Sequence, residues 1–435
     1  MKNSLTAKIF VLGFIVLILM VPYFMAVDLR RDRENRSTHA QDEVSSKWGG
    51  TQFVTASVLQ FPVQRMEVTN GKTATVSSHL FVLPDSLKIE SSIVPEVRSR
   101  GIYEVMLYRS HIKISGNFLW PERKFHDNWE ITGTAADFLI RVSDVKGIEK
   151  LEVKQGEDTI KAMPGSIITC PVKDSRFQPG DSVSFTAELD LKGCSSLLFH
   201  PIGRTFELAM NSSWAHPSFT GGFLPSSRTV TDQGFSAEWN VSELNSSFPQ
   251  AWTGKLEEVL SDWDRQKSLG VSLLQPAGTY QQVERVSNYA FMVIAIILAA
   301  FLIGEYATKI WIHPVQYFFV GLSLVMFYVL LLAFAEHMPF IMSYLLTMFL
   351  ISGLTTMYCR MIFEKKKSAA ILLGGVMLLA YLLIFVLIRL EDYALLAGSI
   401  ILLALLAILM RATGNMNKAE LQAEEEFESI EEETK

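Results

Sequence analysis

The sequence predicts a membrane protein of mixed architecture: one N-terminal transmembrane helix, a large β-rich, sandwich-like domain outside the cytoplasm, and a C-terminal bundle of five transmembrane helices, six in all. Three observations predict it. Ile9 to Val27 is an uncharged apolar run, five further apolar segments follow Asn288, and the stretch between them alternates like strands. Apolar residues make up 49% of the 435-residue chain while charged residues still make up 19%, a mixture that suits a soluble part joined to a membrane part.

The first run is 19 residues long. At 1.5 Å per residue it nearly crosses a hydrocarbon core of about 30 Å. Signal-peptide cores are shorter, about 7–15 residues, and end in a small-x-small cleavage site that Tyr23 to Val27 does not offer. The run therefore reads as an uncleaved anchor, residues 1–29.

Strand signals dominate residues 30–288. In Ser182 to Lys192, Val183, Phe185, Ala187, Leu189 and Leu191 alternate with polar residues. Thr205 to Met210 and Phe235 to Trp239 read likewise, with Pro179, Gly180, Gly221, Gly222 and Gly234 as turn residues. Arg30 to Lys47 is a charged helical or coil connector, and Leu256 to Gly270 a helix or long loop.

The bundle, residues 289–411, divides into Tyr289–Tyr306, Gln316–Ala335, Met338–Tyr358, Ser368–Ile388 and Tyr393–Met410. Its loops set an orientation. Arg360, Lys365, Lys366 and Lys367 mark one loop as cytoplasmic, whereas the Glu336-His337 hairpin carries no Lys or Arg. Both termini then lie in the cytoplasm and residues 28–288 outside it. Arg30, Arg31, Arg33 and Arg36 after the first helix argue the opposite, but long domains translocate largely regardless of such charge. Residues 412–435 form an acidic cytoplasmic tail with eight Glu beyond Ala419, which accounts for the net charge of −6. No basic block points to nucleic acid.

Chemistry is sparse. Glu305 is an intramembrane acid and so a functional candidate, although its place near a helix end favours snorkelling to the interface. His313 precedes Pro314 and reads as a helix start. Glu336 and His337 are candidates for a polar site, against a plain turn. Trp214, His216, Pro217, Ser218 and Phe219 form the most distinctive soluble motif. A Ser–His pair here lacks an orienting acid or a G-x-S-x-G elbow, so a rigid loop is the favoured reading. Cys170 and Cys194 are candidates for a disulfide in an oxidising compartment. Small residues at helical spacing, Ala300/Gly304 and Ala370/Gly374, allow close helix packing. H-E-x-x-H, P-loop, dinucleotide and C-x-x-C motifs are missing, so no catalytic residue, metal ligand or cofactor is assigned.

Two stretches carry a resemblance. One runs from His313, Pro314, Val315, Gln316 and Tyr317 through Val320 to Tyr328 and ends at Glu336 and His337. The other joins Trp214 to Phe219 with Phe223, Leu224, Pro225, Gly234 and Phe235; Leu83-Pro84, Arg100 to Tyr103 and Gly116 to Phe118 add to it. Over residues 45 to 410 the chain resembles the CreD family of Gram-negative cell-envelope integrity proteins. The resemblance implies an inner-membrane location and a periplasmic domain. It also implies a link to envelope stress, in some bacteria under a CreBC-type system, to colicin tolerance and to the β-lactam response. It implies no reaction. Three functions remain in play: a non-enzymatic envelope protein whose partners are the lipid bilayer and an envelope protein or component; a small transporter using Glu305 and Glu336/His337; and a membrane enzyme with Glu336, His337 and His216 converging.

Overall fold

The structure, a computed structural model, describes residues 5–410 apart from 70–71, 123, 126–127, 133–134, 173–177, 246–247, 257–264, 274–277, 309, 365, 391–395, 401–402, 405–406 and 408–409. The acidic tail and the 391–392 turn thus lie outside the described residues, as does most of the 256–270 stretch. Of that stretch, Arg265–Lys267 is a short 3-10 helix and Leu269–Leu273 a strand. The chain divides into two compact units, residues 37–276 and residues 1–36 with 277–435.

The first unit is built of β-strands. Residues of Ser182–Cys194 alternate between exposed and buried along the strand, with Val183, Phe185, Ala187, Leu189 and Leu191 inward, as the sequence pattern requires. Eight strands form one sheet in the order Ser227–Thr231, Gly234–Ser242, Thr205–Ser212, Ser86–Arg100, Tyr103–Leu119, Ser182–Cys194, Ile148–Gln155, Asp158–Ile160. Their pairing is antiparallel except between Thr205–Ser212 and Ser86–Arg100. A ten-stranded sheet is organised around Gln52–Thr69. That strand pairs parallel with Ser196–Phe199 and antiparallel with Asp137–Val142 and Lys72–Val82, with a register shift between Thr55 and Val58 in its pairing with Asp137–Val142.

Apolar side chains from both sheets meet in one core. Phe118 and Phe185 of the eight-stranded sheet and Phe138 of the ten-stranded sheet form a triangle with ring centroids 5.4–5.6 Å apart. Gly116 makes room for it: a Cβ there would sit 2.6 Å from the Phe185 ring and 2.9 Å from the Ser86 carbonyl oxygen. The expected β-rich domain is present, and it is a two-sheet sandwich.

The second unit is helical: α1 (Leu5–Trp48), α2 (Thr279–Ser287), α3 (Ala290–Thr308), α4 (Pro314–Ala335), α5 (Phe340–Ile362) and α6 (Lys367–Arg389). The residues of α1 beyond Arg36 belong to the β unit, so the charged stretch after the anchor is a continuous helix. Within the β unit its end is fastened by Trp48, which packs with Val44 on Val105, Leu107 and Cys194. Arg98, Lys192 and Arg109 lie 4.1, 4.8 and 5.1 Å from the Trp48 ring centroid. Hydropathy did not single out α2 because it is amphipathic, burying Val283 and Val286 among Gln281, Gln282, Glu284 and Arg285.

By length and composition α1, α4, α5 and α6 can each cross a membrane, and α2 with α3, bent by 42° to one another, makes a fifth span if counted together. The sixth expected span, Tyr393–Met410, is helical at 396–400, 403–404, 407 and 410, the rest lying outside the described residues. Of the two small-residue pairs, Ala370/Gly374 lets helices close up as expected, whereas a Cβ on Gly304 would meet Leu373 at an ordinary 3.5 Å. A Cβ on Gly374 of α6 would meet Thr356 Oγ1 of α5 at 2.1 Å, and Ala370 is fully buried.

A candidate functional site: the buried carboxylate of the helical unit

The loop between α3 and α4 builds a small polar centre. Glu305 lies in the last turn of α3. After the loop, His313 caps α4: its Nδ1 accepts from the Val315 N–H at 3.3 Å, and its own N–H donates to Gln316 Oε1 at 2.9 Å. Pro314 occupies the first helical turn, where its missing N–H costs nothing. His313 thus acts as a helix start, and its exposed ring packs edge-on against Trp311 at 5.2 Å.

This cap fixes two donors on Glu305. The Ile312 N–H donates to Oε1 at 3.1 Å and the Tyr317 hydroxyl to Oε2 at 2.7 Å. The Lys8 ammonium from α1 adds a charge-assisted hydrogen bond to Oε1. Glu305 is only 5% exposed. The expected snorkelling is therefore corrected: the carboxylate turns inward because three donors satisfy it there. Beside it lies a cavity of about 160 Å³ with walls from Val11, Leu12, Leu302, Trp311 and Pro314. Lys8 and Tyr317 were missed from sequence. The available signal was topological: in the six-span expectation the start of the first span and the end of the second share one side of the membrane.

Glu336 is the C-cap of α4. The Tyr280 hydroxyl of α2 donates to its Oε1 at 3.1 Å, and Arg33 Nε of α1 lies 3.8 Å from the same oxygen. His337 is exposed. Glu305 and Glu336 stand at opposite ends of the 22-residue α4, so about 30 Å separates them. They do not form one site. The arginines that trouble the loop-charge rule are engaged: Arg30 with Glu34 at 2.9 Å and Glu284 at 3.2 Å, Arg36 with Asp32 at 3.0 Å, Arg31 with Asp28 at 3.7 Å.

In the β unit, the Trp214 Nε1–H donates to the His216 carbonyl at 3.1 Å, and the two rings stand edge-on at 6.2 Å. Pro217 and Ser218 begin the strand Pro217–Gly221, which closes one end of the ten-stranded sheet against Leu269–Leu273. Phe219 packs on Phe235 and Trp239, both at 5.8 Å. The motif turns the chain and places an aromatic between the sheets.

The disulfide considered for Cys170 and Cys194 is not made; both are buried free thiols. Cys170 belongs to the main core and Cys194 to the small cluster beneath Trp48. Burial pushes the Cys170 thiol up to about 11 and raises Cys194 as well. Neither suits a nucleophile. Among the described residues no group of three or more His, Cys, Asp or Glu side chains is placed to hold a metal ion.

The family description "Inner membrane protein CreD" matches residues 4–418. The chain belongs to the CreD family. The inner membrane protein CreD of Escherichia coli (strain K12) is 28% identical over 437 residues, spanning 96% of this chain and 94% of that one. A zinc metallopeptidase mutant from Deinococcus radiodurans overlaps 48% of this chain and 53% of its own length with a TM-score of 0.22 and 8% identity. A likeness that slight bears on neither fold nor function. The chain is thus an inner-membrane protein of the CreD type, with apolar helices and a β-sandwich.

Proposed function

We propose that this CreD-family chain serves cell-envelope integrity without catalysing a reaction. Its β-sandwich, on the periplasmic side, binds an envelope component or partner protein, while the helical unit holds it in the membrane with both termini in the cytoplasm. The observation that carries this reading is the match to an inner-membrane family over residues 4–418, which takes in the β-sandwich as well as the helices. The ion pairs that engage Arg30, Arg31, Arg33 and Arg36 support the orientation, because they give those side chains a structural task.

The transporter reading loses its shared site, since Glu305 and Glu336 are a helix length apart. In the enzyme reading, Glu336 and His337 belong to the helical unit and His216 to the β unit. Photo-crosslinking from the exposed face of the eight-stranded sheet, at Lys88 or Lys113, tests the proposal in membranes. A reproducible envelope protein or component should be captured there. Capture of nothing from either position, with the protein intact, would contradict it.

A further inference from the structure

The cavity beside Glu305 has features that the anchoring role leaves unused. At about 160 Å³ it is well below the roughly 300–1,000 Å³ of pockets that enclose whole small molecules. It suits a segment of a larger ligand whose remainder stays outside. Its walls, Val11 and Leu12 of α1, Leu302 of α3 and Pro314 of α4, are apolar, and its one polar side is the Lys8–Glu305–Tyr317 cluster. The flanking helices expose Phe10, Phe14, Phe319, Ile371 and Leu372, so the medium around them is lipid.

The polar end has a basic character. Glu305 takes one of the three N–H donors of the Lys8 ammonium, and the two charges offset each other. Exposed Lys366 reaches across to α3, where its Nζ donates to the Thr308 carbonyl at 3.0 Å, one turn from Glu305. Lys367 follows it, also exposed. At the rim, Trp311 is 56% exposed, the posture of an indole at a membrane–water interface. An apolar slot with Lys8 in its lining, further exposed lysines beside the end of α3 and an interfacial Trp matches an acyl chain with an anionic headgroup.

We propose that this cavity is a binding site for an anionic phospholipid, which lays one acyl-chain segment against Leu12 and Leu302 and its phosphate against Lys8 and Lys366. Trp311 is the one tryptophan between residues 277 and 435, so its emission reports on the site. The full chain is reconstituted in vesicles with phosphatidylglycerol or phosphatidylcholine carrying brominated acyl chains, and the Trp311 signal is taken as the difference from Trp311→Phe. Brominated phosphatidylglycerol should quench that signal about fivefold more effectively than phosphatidylcholine at equal mole fraction. Lys366→Gln, an exposed change that keeps a side-chain donor for the Thr308 carbonyl, should abolish most of that preference. Leu302→Phe, which fills the slot, should reduce quenching by both lipids. Equal quenching by the two lipids, or a preference that survives Lys366→Gln, would overturn the proposal and leave Trp311 as a side chain touching bulk bilayer.

Discussion

The β unit and the helical unit both bury apolar side chains but turn opposite kinds outward. In Ser182–Cys194 the apolar residues point inward while Ser184, Thr186 and Glu188 point outward. In α5, Ser343, Thr347, Ser352 and Thr355 are buried, while Met342, Phe349, Leu350 and Leu354 are exposed. One rule produces both: each surface matches its solvent, water in one case and lipid in the other. The difference also changes what holds each unit together. Burying Phe185 removes apolar area from water. Burying a leucine among helices in lipid gains no such term, so close contact and polar contacts carry more weight.

The largest expected effect breaks the apolar side of that contrast. Phe185→Ala removes one corner of the Phe118–Phe138–Phe185 triangle and should destabilise the β unit by about 3–5 kcal/mol, read from its own chemical unfolding transition. On the polar side, Glu305→Ala leaves Lys8, the Tyr317 hydroxyl and the Ile312 N–H without their acceptor. The expected cost to the helical unit in detergent is about 2–3 kcal/mol. That is below the full range for broken buried pairs, because the Lys8 side chain stays 28% exposed. A double-mutant cycle with Lys8→Ala should show coupling, and additivity would contradict the Lys8–Glu305 ion pair.

Close packing gives a matched pair. Gly116→Val forces a side chain into the Phe185 ring of the β unit, and Gly374→Leu forces one into Thr356 of α5. Each should cost about 1–3 kcal/mol in its own unit, by the same unfolding assays. The smallest effect is Thr355→Ala: its hydroxyl shares a hydrogen bond with that of Ser323 of α4 at 3.0 Å, and its loss should cost about 0.6 kcal/mol.

Cys170 sharpens the contrast through pH. Its folded thiol is held up at about 11 by burial, above its ordinary value of 9.0, so the folded state keeps a proton that the unfolded chain releases. Its contribution to stability is full below pH 9 and is lost as pH rises through about 11. Alkylation of Cys170 in the native protein should accordingly be negligible near pH 8 and should climb with alkali. Rapid labelling at pH 8 would contradict the buried placement.

Much of the fold is legible in the sequence because periodicity is a local property. The period-two run at Ser182 yields a strand, and the apolar runs at Ile9, Gln316, Met338 and Ser368 coincide with α1, α4, α5 and α6. The amphipathic α2 escaped because its polar residues mask it. The site was half legible. An acid within an apolar run marks Glu305, but its burial depends on Lys8, nearly three hundred residues away, and on a cap that aims Tyr317. Such long-range pairings leave no local trace. The same holds for Cys170 and Cys194, whose spacing allowed a disulfide that their separate clusters do not make.

The proposed envelope role requires the β unit to lie outside the cytoplasm. Single cysteines placed at the exposed Lys113 and Lys366 test this directly, since the native cysteines are buried. A membrane-impermeant maleimide applied to intact spheroplasts should label Lys113→Cys at once and Lys366→Cys only after permeabilisation. The reverse pattern would contradict the orientation and, with it, the envelope-binding role of the sandwich.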